Sequence, residues 1–360
     1  MDFECRDGRH APMPSESDGG SVHEGTAPAS RARAFIAWTL AVVGTTAAVL
    51  GAMGVVSVLA AMLATCVMDG AVSVSADTLD PFAMDIGVLV AQLSVIAITL
   101  PWWRQVLARS LVSARCRSLP RRSTADVLRT WVSLLLLGLG LQVVISLLLT
   151  LVSLIAPVLI EDYNELMEDA GIGVLSPLNV LTTVILAPVS EEIVCRGILL
   201  EYGLRAASPV WRSRVGARDT SVGAVAFLAG NALQAAAFGF MHLNIVQGAY
   251  AFALGLILGW VYWKTGKLRY AVGLHLAVNA SSFLIDPLFE LSAWLPELVG
   301  TTWFLVIGMG SLVGGALLFA RVWCSGAPAA PASPVASLDG ASTGEQPAPV
   351  ACNEDVLGPE

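Results

Sequence analysis

Long apolar runs separated by short polar segments fill most of the 360-residue chain. Each run has about 18 or more residues with few charges, which is enough to cross a hydrocarbon core roughly 30 Å thick as a helix. The pattern predicts an all-α, polytopic transmembrane bundle of about eight helices. The expected spans are 35–66, 82–103, 131–160, 174–204, 222–242, 245–263, 268–285 and 302–323.

Two tails flank the apolar region and differ from it in composition. Residues 1–30 and 326–360 are rich in Ala, Pro, Ser, Gly and acidic residues. Such segments cannot bury enough apolar surface to fold alone, so we expect both tails to be disordered. Between them we expect the first three helices within 31–172, four more within 173–285, and the last loop and helix within 286–325.

The overall composition supports a membrane protein. Hydrophobic residues make up 56% of the chain and charged residues only 13%, whereas a soluble domain is about 25% charged. The net charge of −8 gives no basic footprint of the kind that nucleic-acid binding requires. We therefore expect the lipid bilayer, and no nucleic acid, as a partner.

Basic residues alternate from loop to loop, and this alternation orients the bundle. Lys and Arg stay on the cytoplasmic side of short loops, and the alternate loops 67–81, 161–172, 243–244 and 286–300 contain neither. We expect a multi-pass cell-membrane protein with both termini cytoplasmic, and 18 Arg against 2 Lys favour a bacterial plasma membrane. The basic residues on the other loops and helix ends are Arg31, Arg33, Arg104, Arg109, Arg115, Arg117, Arg121, Arg122, Arg129, Arg205, Arg212, Arg214, Arg218, Lys264, Lys267, Arg269 and Arg321.

A few ionisable and polar residues lie inside the expected spans. A charge in the bilayer costs several kcal/mol and marks a functional site by default. Glu191, Glu192 and Arg196 lie in the fourth span, His242 ends the fifth, and His275 and Asn279 lie in the seventh.

Helical spacing relates these residues to one another. Glu192 and Arg196, four residues apart in the acid-first order, can form an ion pair along one helix face. Glu191 is rotated by about 100° from Glu192 and can face another neighbour. His275 and Asn279 share one face by the same four-residue spacing.

The set can carry out hydrolysis, and each member also has a purely structural interpretation. A carboxylate with an imidazole can deprotonate water, while a second imidazole and a carboxamide can donate to an oxyanion. Alternatively, Glu192 and Arg196 form only a structural pair, Asn279 bonds a neighbouring helix, and His242 is an interfacial residue. Their joint occurrence in three apolar stretches favours a catalytic site.

The motifs Glu191-Glu192-x-x-x-Arg196, Phe238-x-x-x-His242 and His275-x-x-x-Asn279 follow one another on separate helices. In this order they resemble the CPBP intramembrane proteases, a family that includes type II CAAX prenyl endopeptidases and bacterial Abi proteins. The resemblance covers roughly residues 173–285. It implies an intramembrane endopeptidase acting on a membrane-associated peptide or protein.

The resemblance also implies roles for individual residues. Glu191 and His242 would activate the attacking water, His275 and Asn279 would stabilise the oxyanion, and Glu192 with Arg196 would hold the helix in place. Members of the family have been described both as metal-dependent and as metal-free, so a divalent metal such as zinc remains an alternative to no cofactor. Its candidate ligands are Glu191, His242 and His275.

Two other functions fit a polytopic bundle with these residues. One is a non-catalytic membrane scaffold or bacteriocin-immunity protein built on the same fold. The other is a proton-coupled transporter, because acid and histidine pairs also form proton relays; we find no repeat between the two halves of the chain to support it.

Depth along the helices gives a specific expectation about the site. Counted from the basic ends at ~1.5 Å per residue, His275 lies about 10 Å deep, Glu191 roughly 20 Å deep and His242 near the far side. Straight spanning helices would keep these side chains apart. Either the vertex at Asn244 to Gly248 is sunk into the bundle, or the helix boundaries differ from those expected.

Overall fold

The computed structural model describes residues 28–69, 81–107, 110–112, 122–169, 176–208, 222–291 and 297–324. Apart from residues 28–30, both tails expected to be disordered lie outside the described residues. The nine long helices of the described part are α1 Pro28–Asp69, α2 Pro81–Leu107, α3 Thr124–Ile155, α4 Pro157–Asp169, α5 Pro177–Ala207, α6 Ala224–Met241, α7 Ile245–Thr265, α8 Leu268–Leu291 and α9 Glu297–Trp323.

The all-helical membrane fold is confirmed. Among the helices that the structure describes, seven are long and apolar enough to cross a membrane: α1, α2, α3, α5, α6, α7 and α9. The remaining expected span, 268–285, is helical within α8 but is not among these seven, so its crossing of the membrane stays a prediction. α8 also continues through residues 286–291, which we had expected in a loop.

The expected third span, 131–160, has the wrong boundaries. The helix α3 begins at Thr124, where the Ser123 side chain caps it, and ends at Ile155. Pro157 disfavours helical backbone at the preceding residue, and Ala156 accordingly has φ −148° and ψ 65°. A separate helix, α4, follows and includes much of the segment 161–172 that we had expected to be a loop.

Helix α5 occupies the centre of the bundle and contacts α1, α2, α6, α7 and α8. Its core-facing residues around Val194, Ile198 and Leu200 are fully buried. The outer helices instead expose large apolar side chains, such as Leu63 of α1 and Leu317 of α9. Exposed apolar surface of this extent suits contact with lipid chains and would be a liability in water.

Helices α6 and α7 form a hairpin whose connection is the short segment 242–244. The backbones approach closely, because a Cβ on Gly239 would lie 2.6 Å from the Gly248 carbonyl oxygen. Small residues permit such approach between membrane helices. Leu243 has a φ of 54°, a left-handed conformation that costs free energy in a non-glycine residue and turns the chain sharply.

Candidate functional site

The local geometry of α5 sets the direction of its functional side chains. Two π-helical stretches, Leu181–Leu186 and Ile193–Leu199, flank the α-helical segment Ala187–Glu192. A π-helical turn contains an extra residue and rotates the side chains that follow it, and such turns are frequent at functional sites. Glu191 and Glu192 end the short segment between the two stretches.

The first π-helical stretch leaves one backbone acceptor without a partner from α5. Ala187 donates to the Thr182 carbonyl in the π register, so the next carbonyl, that of Thr183, would pair with residue 188. Pro188 has no N–H to donate. Asn279 of α8 replaces it, because its Nδ2 donates to the Thr183 oxygen at 2.9 Å. Asn279 is thus fixed in place, and its second amide hydrogen remains.

Glu192 and Arg196 form a fully buried ion pair. Arg196 Nη1 donates to Glu192 Oε1 at 2.8 Å, and both side chains are 0% exposed. The guanidinium also lies over the Phe238 ring, 4.5 Å from its centroid, and its Nη2 donates to the Gly255 carbonyl of α7 at 3.4 Å. The expected helical pair therefore also connects α5 to α6 and α7.

His275 joins this pair to the second carboxylate. Its Nδ1 lies 2.9 Å from Glu192 Oε1, and its Nε2 lies 3.7 Å from Glu191 Oε2. Glu192 Oε1, which accepts from Arg196 Nη1, is an acceptor for a hydrogen on His275 Nδ1. The hydrogen bond between Nδ1 and Glu192 orients the ring, and Nε2 is the ring nitrogen that faces Glu191.

His242 is oriented in the same way by a different acceptor. Its Nδ1 lies 2.8 Å from the Phe238 carbonyl oxygen, and because a carbonyl only accepts, Nδ1 carries the hydrogen. The neutral ring therefore has its lone pair on Nε2. Phe238 separates the two imidazoles, with edge contacts to His242 at 4.9 Å and to His275 at 5.7 Å between centroids.

Glu191, His242, His275 and Asn279 line one cavity of about 280 Å³. Glu191 is partly accessible, with a side chain 19% exposed, whereas Glu192 and Arg196 lie buried behind the wall. Glu191 is roughly 20 Å along α5 from Pro177, and His242 at the α6–α7 connection lines the same cavity. This placement favours the first alternative, in which the vertex is sunk into the bundle.

Helices outside the motif-bearing region contribute much of the cavity wall. Gln92 of α2, Gln142 of α3 and Tyr163 of α4 all line it. The Ser190 hydroxyl, beside Glu191, hydrogen-bonds Gln92, and the hydroxyls of Tyr163 and Tyr250 lie 3.4 Å apart. The site is therefore built from α2 to α8 and not from α5 to α8 alone.

A buried amide pair that is not among the predicted site residues supports Arg196. Gln234 Nε2 donates to the same Gly255 carbonyl as Arg196, at 3.0 Å, and to Asn231 Oδ1 at 2.8 Å. Asn231 Nδ2 donates to the Leu256 carbonyl at 2.9 Å. Amide side chains in an apolar span indicate such contacts. A search limited to charged residues and histidines does not include them.

The metal candidates are near one another but do not form a ready ligand set. Glu191, His242 and His275 share the cavity, yet within the described ranges no three His, Cys, Asp or Glu side chains are placed to hold one metal ion. Both Nδ1 atoms are already hydrogen-bonded, so any metal would have to bind through the Nε2 atoms and the Glu191 carboxylate.

Comparison with protein families agrees with the geometry. Residues 173–281 match the family model described as type II CAAX prenyl endopeptidase Rce1-like. Comparison with curated proteins and with solved structures gives no significant match. The match contains all seven residues named in the three motifs and ends within α8. Residues 173–281 of this chain are therefore a domain of the Rce1-like type II CAAX prenyl endopeptidase (CPBP) family.

Proposed function

We propose that this chain is an intramembrane endopeptidase that hydrolyses a peptide bond with a water activated in the cavity. The observation that supports it is the shared cavity of Glu191, His242, His275 and Asn279. In that cavity both imidazoles have Nδ1 tied to an acceptor and Nε2 left for chemistry. A purely structural role of these four residues would not require the Glu191 side chain to be partly accessible to solvent.

The first step is the attack of water on the scissile carbonyl carbon. Glu191 accepts one proton from the water while the water oxygen bonds to the carbonyl carbon. His242 Nε2, which has a lone pair, accepts a hydrogen bond from the same water and orients it. When the carbon–nitrogen bond breaks, the proton moves from Glu191 to the leaving amine. The products are a new carboxylic acid, which loses its proton to water and becomes a carboxylate, and a new amine, and Glu191 returns to its initial state.

The oxyanion that forms after attack requires hydrogen-bond donors. Asn279 has one amide hydrogen beyond the one given to Thr183, and this hydrogen is available to the oxyanion. His275 lines the same cavity, and a hydrogen on its Nε2 would be a second donor. Donors fixed before the reaction are effective because they need no reorganisation.

Purified protein incubated with membrane-derived peptides tests the proposal. We expect cleavage at an internal peptide bond, and we expect a chelator to leave the rate unchanged because Glu191 and His242 together supply the base. If the chelator abolished cleavage and zinc restored it, the metal-free chemistry would be wrong. An absence of cleavage with every peptide, together with full biological activity of a Glu191→Gln chain, would favour a scaffold.

Replacing Asn279 should separate its catalytic and structural roles. Loss of one oxyanion donor typically slows turnover by about 10²- to 10³-fold, and Asn279→Ala also leaves the Thr183 carbonyl unpaired, at a cost of about 1–3 kcal/mol. Pro188→Ala restores an N–H for that carbonyl. In the double variant we expect thermal stability to recover while kcat stays low; recovery of both would show that Asn279 is only structural.

A further inference from the structure

Two glutamines of the cavity wall have no part in the mechanism proposed above. Gln92 lies near the middle of α2 and Gln142 near the middle of α3, and both line the cavity. They lie outside residues 173–281, the part of the chain that matches the family model, so the three motifs assign no role to them. An amide inside a membrane-spanning helix is costly unless its polar groups find partners, and it indicates a functional contact.

Gln92 is held beside the proposed base but keeps hydrogen-bonding capacity. The Ser190 hydroxyl donates to Gln92 Oε1, and Ser190 immediately precedes Glu191 in α5. This contact orients the amide and uses its oxygen. Among the described residues nothing accepts from Gln92 Nε2, so its two hydrogens remain for a molecule in the cavity.

Gln142 belongs to a different wall of the cavity. Gly138, one helical turn earlier in α3, packs directly against Ala277 of α8. Gln142 shares that face of α3 and therefore lies on the side of the cavity that includes His275 and Asn279. In the part of the chain that the structure describes, neither the oxygen nor the nitrogen of its amide has a hydrogen-bond partner. Gln142 thus presents both a donor and an acceptor.

A peptide that is cleaved inside a membrane needs such groups. Water and Glu191 can reach the scissile bond only where the substrate is unwound, and the neighbouring backbone N–H and C=O groups then lose their helical partners. Backbone groups without partners are costly in a bilayer, where no water replaces the lost hydrogen bonds. A glutamine carboxamide has the same donor and acceptor types as a peptide group and no charge.

We propose that Gln92 and Gln142 bind the backbone of the substrate on the two sides of the scissile bond. Gln92 holds the segment next to Glu191, and Gln142 holds the segment on the α8 side. The substrate class is then an extended peptide segment, which these two residues recognise by its main chain and not by its side chains. This inference rests on the proposed function for the scissile bond and adds the residues that position it.

Peptide binding to an inactive chain tests the inference without requiring turnover. The parent protein is the full-length Glu191→Gln chain in lipid nanodiscs. The probe is a fluorescent, uncharged peptide of Ala, Leu and Gly with blocked ends, since main-chain recognition needs no particular side chain. In a series of copies one backbone amide at a time is replaced by an ester, which removes its N–H and weakens its carbonyl as an acceptor. Fluorescence anisotropy gives Kd.

Gln92→Met and Gln142→Met are then added singly to the parent, because methionine keeps the length of the side chain without its amide. We expect each to raise Kd for the all-amide peptide about 3- to 10-fold, the effect of one hydrogen bond. Esters at two positions should weaken binding to the parent by a similar factor. One of these effects should vanish in Gln92→Met and the other in Gln142→Met.

Thr182→Val is the matched control within the cavity. Thr182 also lines it, but its hydroxyl lies 3.0 Å from the carbonyl oxygens of Leu178 and Asn179 on its own helix. Valine keeps the shape of the side chain. We expect the Kd of the parent and the same response to both esters.

Three outcomes would overturn the inference: no saturable binding of the probe to the parent, an ester series that leaves Kd unchanged, or ester effects that persist in both glutamine variants. The ester series on the parent requires no glutamine variant, so misfolding of a variant does not prevent this test. The expected binding pattern, together with no cleavage of any peptide by the chain that retains Glu191, would contradict only the proposed function.

Discussion

Glu191→Gln and His242→Ala should each remove nearly all peptide hydrolysis, and the double variant should be little slower than either single variant. General-base catalysis typically contributes about 10²- to 10⁴-fold to a rate. Glu191 and His242 act on the same water in the proposed mechanism, so removing either one removes the function of both. Residues that act as one unit show this non-additivity.

A matched control for Glu191→Gln is available on the same helix. Glu201 of α5 is equally a glutamate in an apolar span, but it is buried away from the cavity, pairs with Arg205 and accepts from the backbone of Leu111. Glu201→Gln keeps an acceptor for both partners, and we expect near-normal hydrolysis. The comparison is made as kcat/KM for one peptide. Equal losses in the two variants would mean that Glu191→Gln acts through folding and not through chemistry.

Arg196→Met should be the most destabilising substitution at the site. Both members of its ion pair are 0% exposed, and removal of one partner from a buried pair typically costs about 3–5 kcal/mol because the other charge is left uncompensated. Arg196 Nη1 is also a charged donor to Glu192, and the guanidinium packs on Phe238. We expect a lower melting temperature in detergent and a lower folded yield.

Two companion variants determine whether charge is the cause. Glu192→Gln combined with Arg196→Met removes both charges, so stability should recover in part. Arg205→Met breaks the pair with Glu201, but Arg205 is 14% exposed and Glu201 keeps its backbone donor from Leu111. Its effect should be smaller. If Arg196→Met were as stable as the wild type, Glu192 would have to be neutral in the folded protein.

The transmembrane fold and the motif residues could be predicted because both depend on local pattern. Apolar runs identify spans whatever their neighbours are, and charged residues and histidines stand out in such runs. The end of α3 could also be predicted from the sequence, because Pro157 marks it. The expected span 131–160 was wrong because its apolar residues continue past the proline and conceal the break.

The remaining parts of the site depend on tertiary contacts that no single segment encodes. Asn279 donates to the Thr183 carbonyl in place of the N–H that Pro188 lacks. This hydrogen bond requires α5 and α8 to be packed in one register. The contribution of Gln92 depends on α2 lying beside Ser190. The recessed α6–α7 connection could be stated only as one of two alternatives, because Gly239 and Gly248 permit close packing but do not fix its depth.

The most direct test of the central claim is the source of oxygen in the newly formed carboxylate. Purified protein in lipid, in excess over a cleavable peptide, is allowed one turnover in ¹⁸O-labelled water, and product and protein are analysed by mass spectrometry. Direct attack by activated water predicts one heavy oxygen in every new carboxylate and none in Glu191. Unlabelled product with heavy oxygen in Glu191, or equal cleavage by the Glu191→Gln variant, would contradict the account.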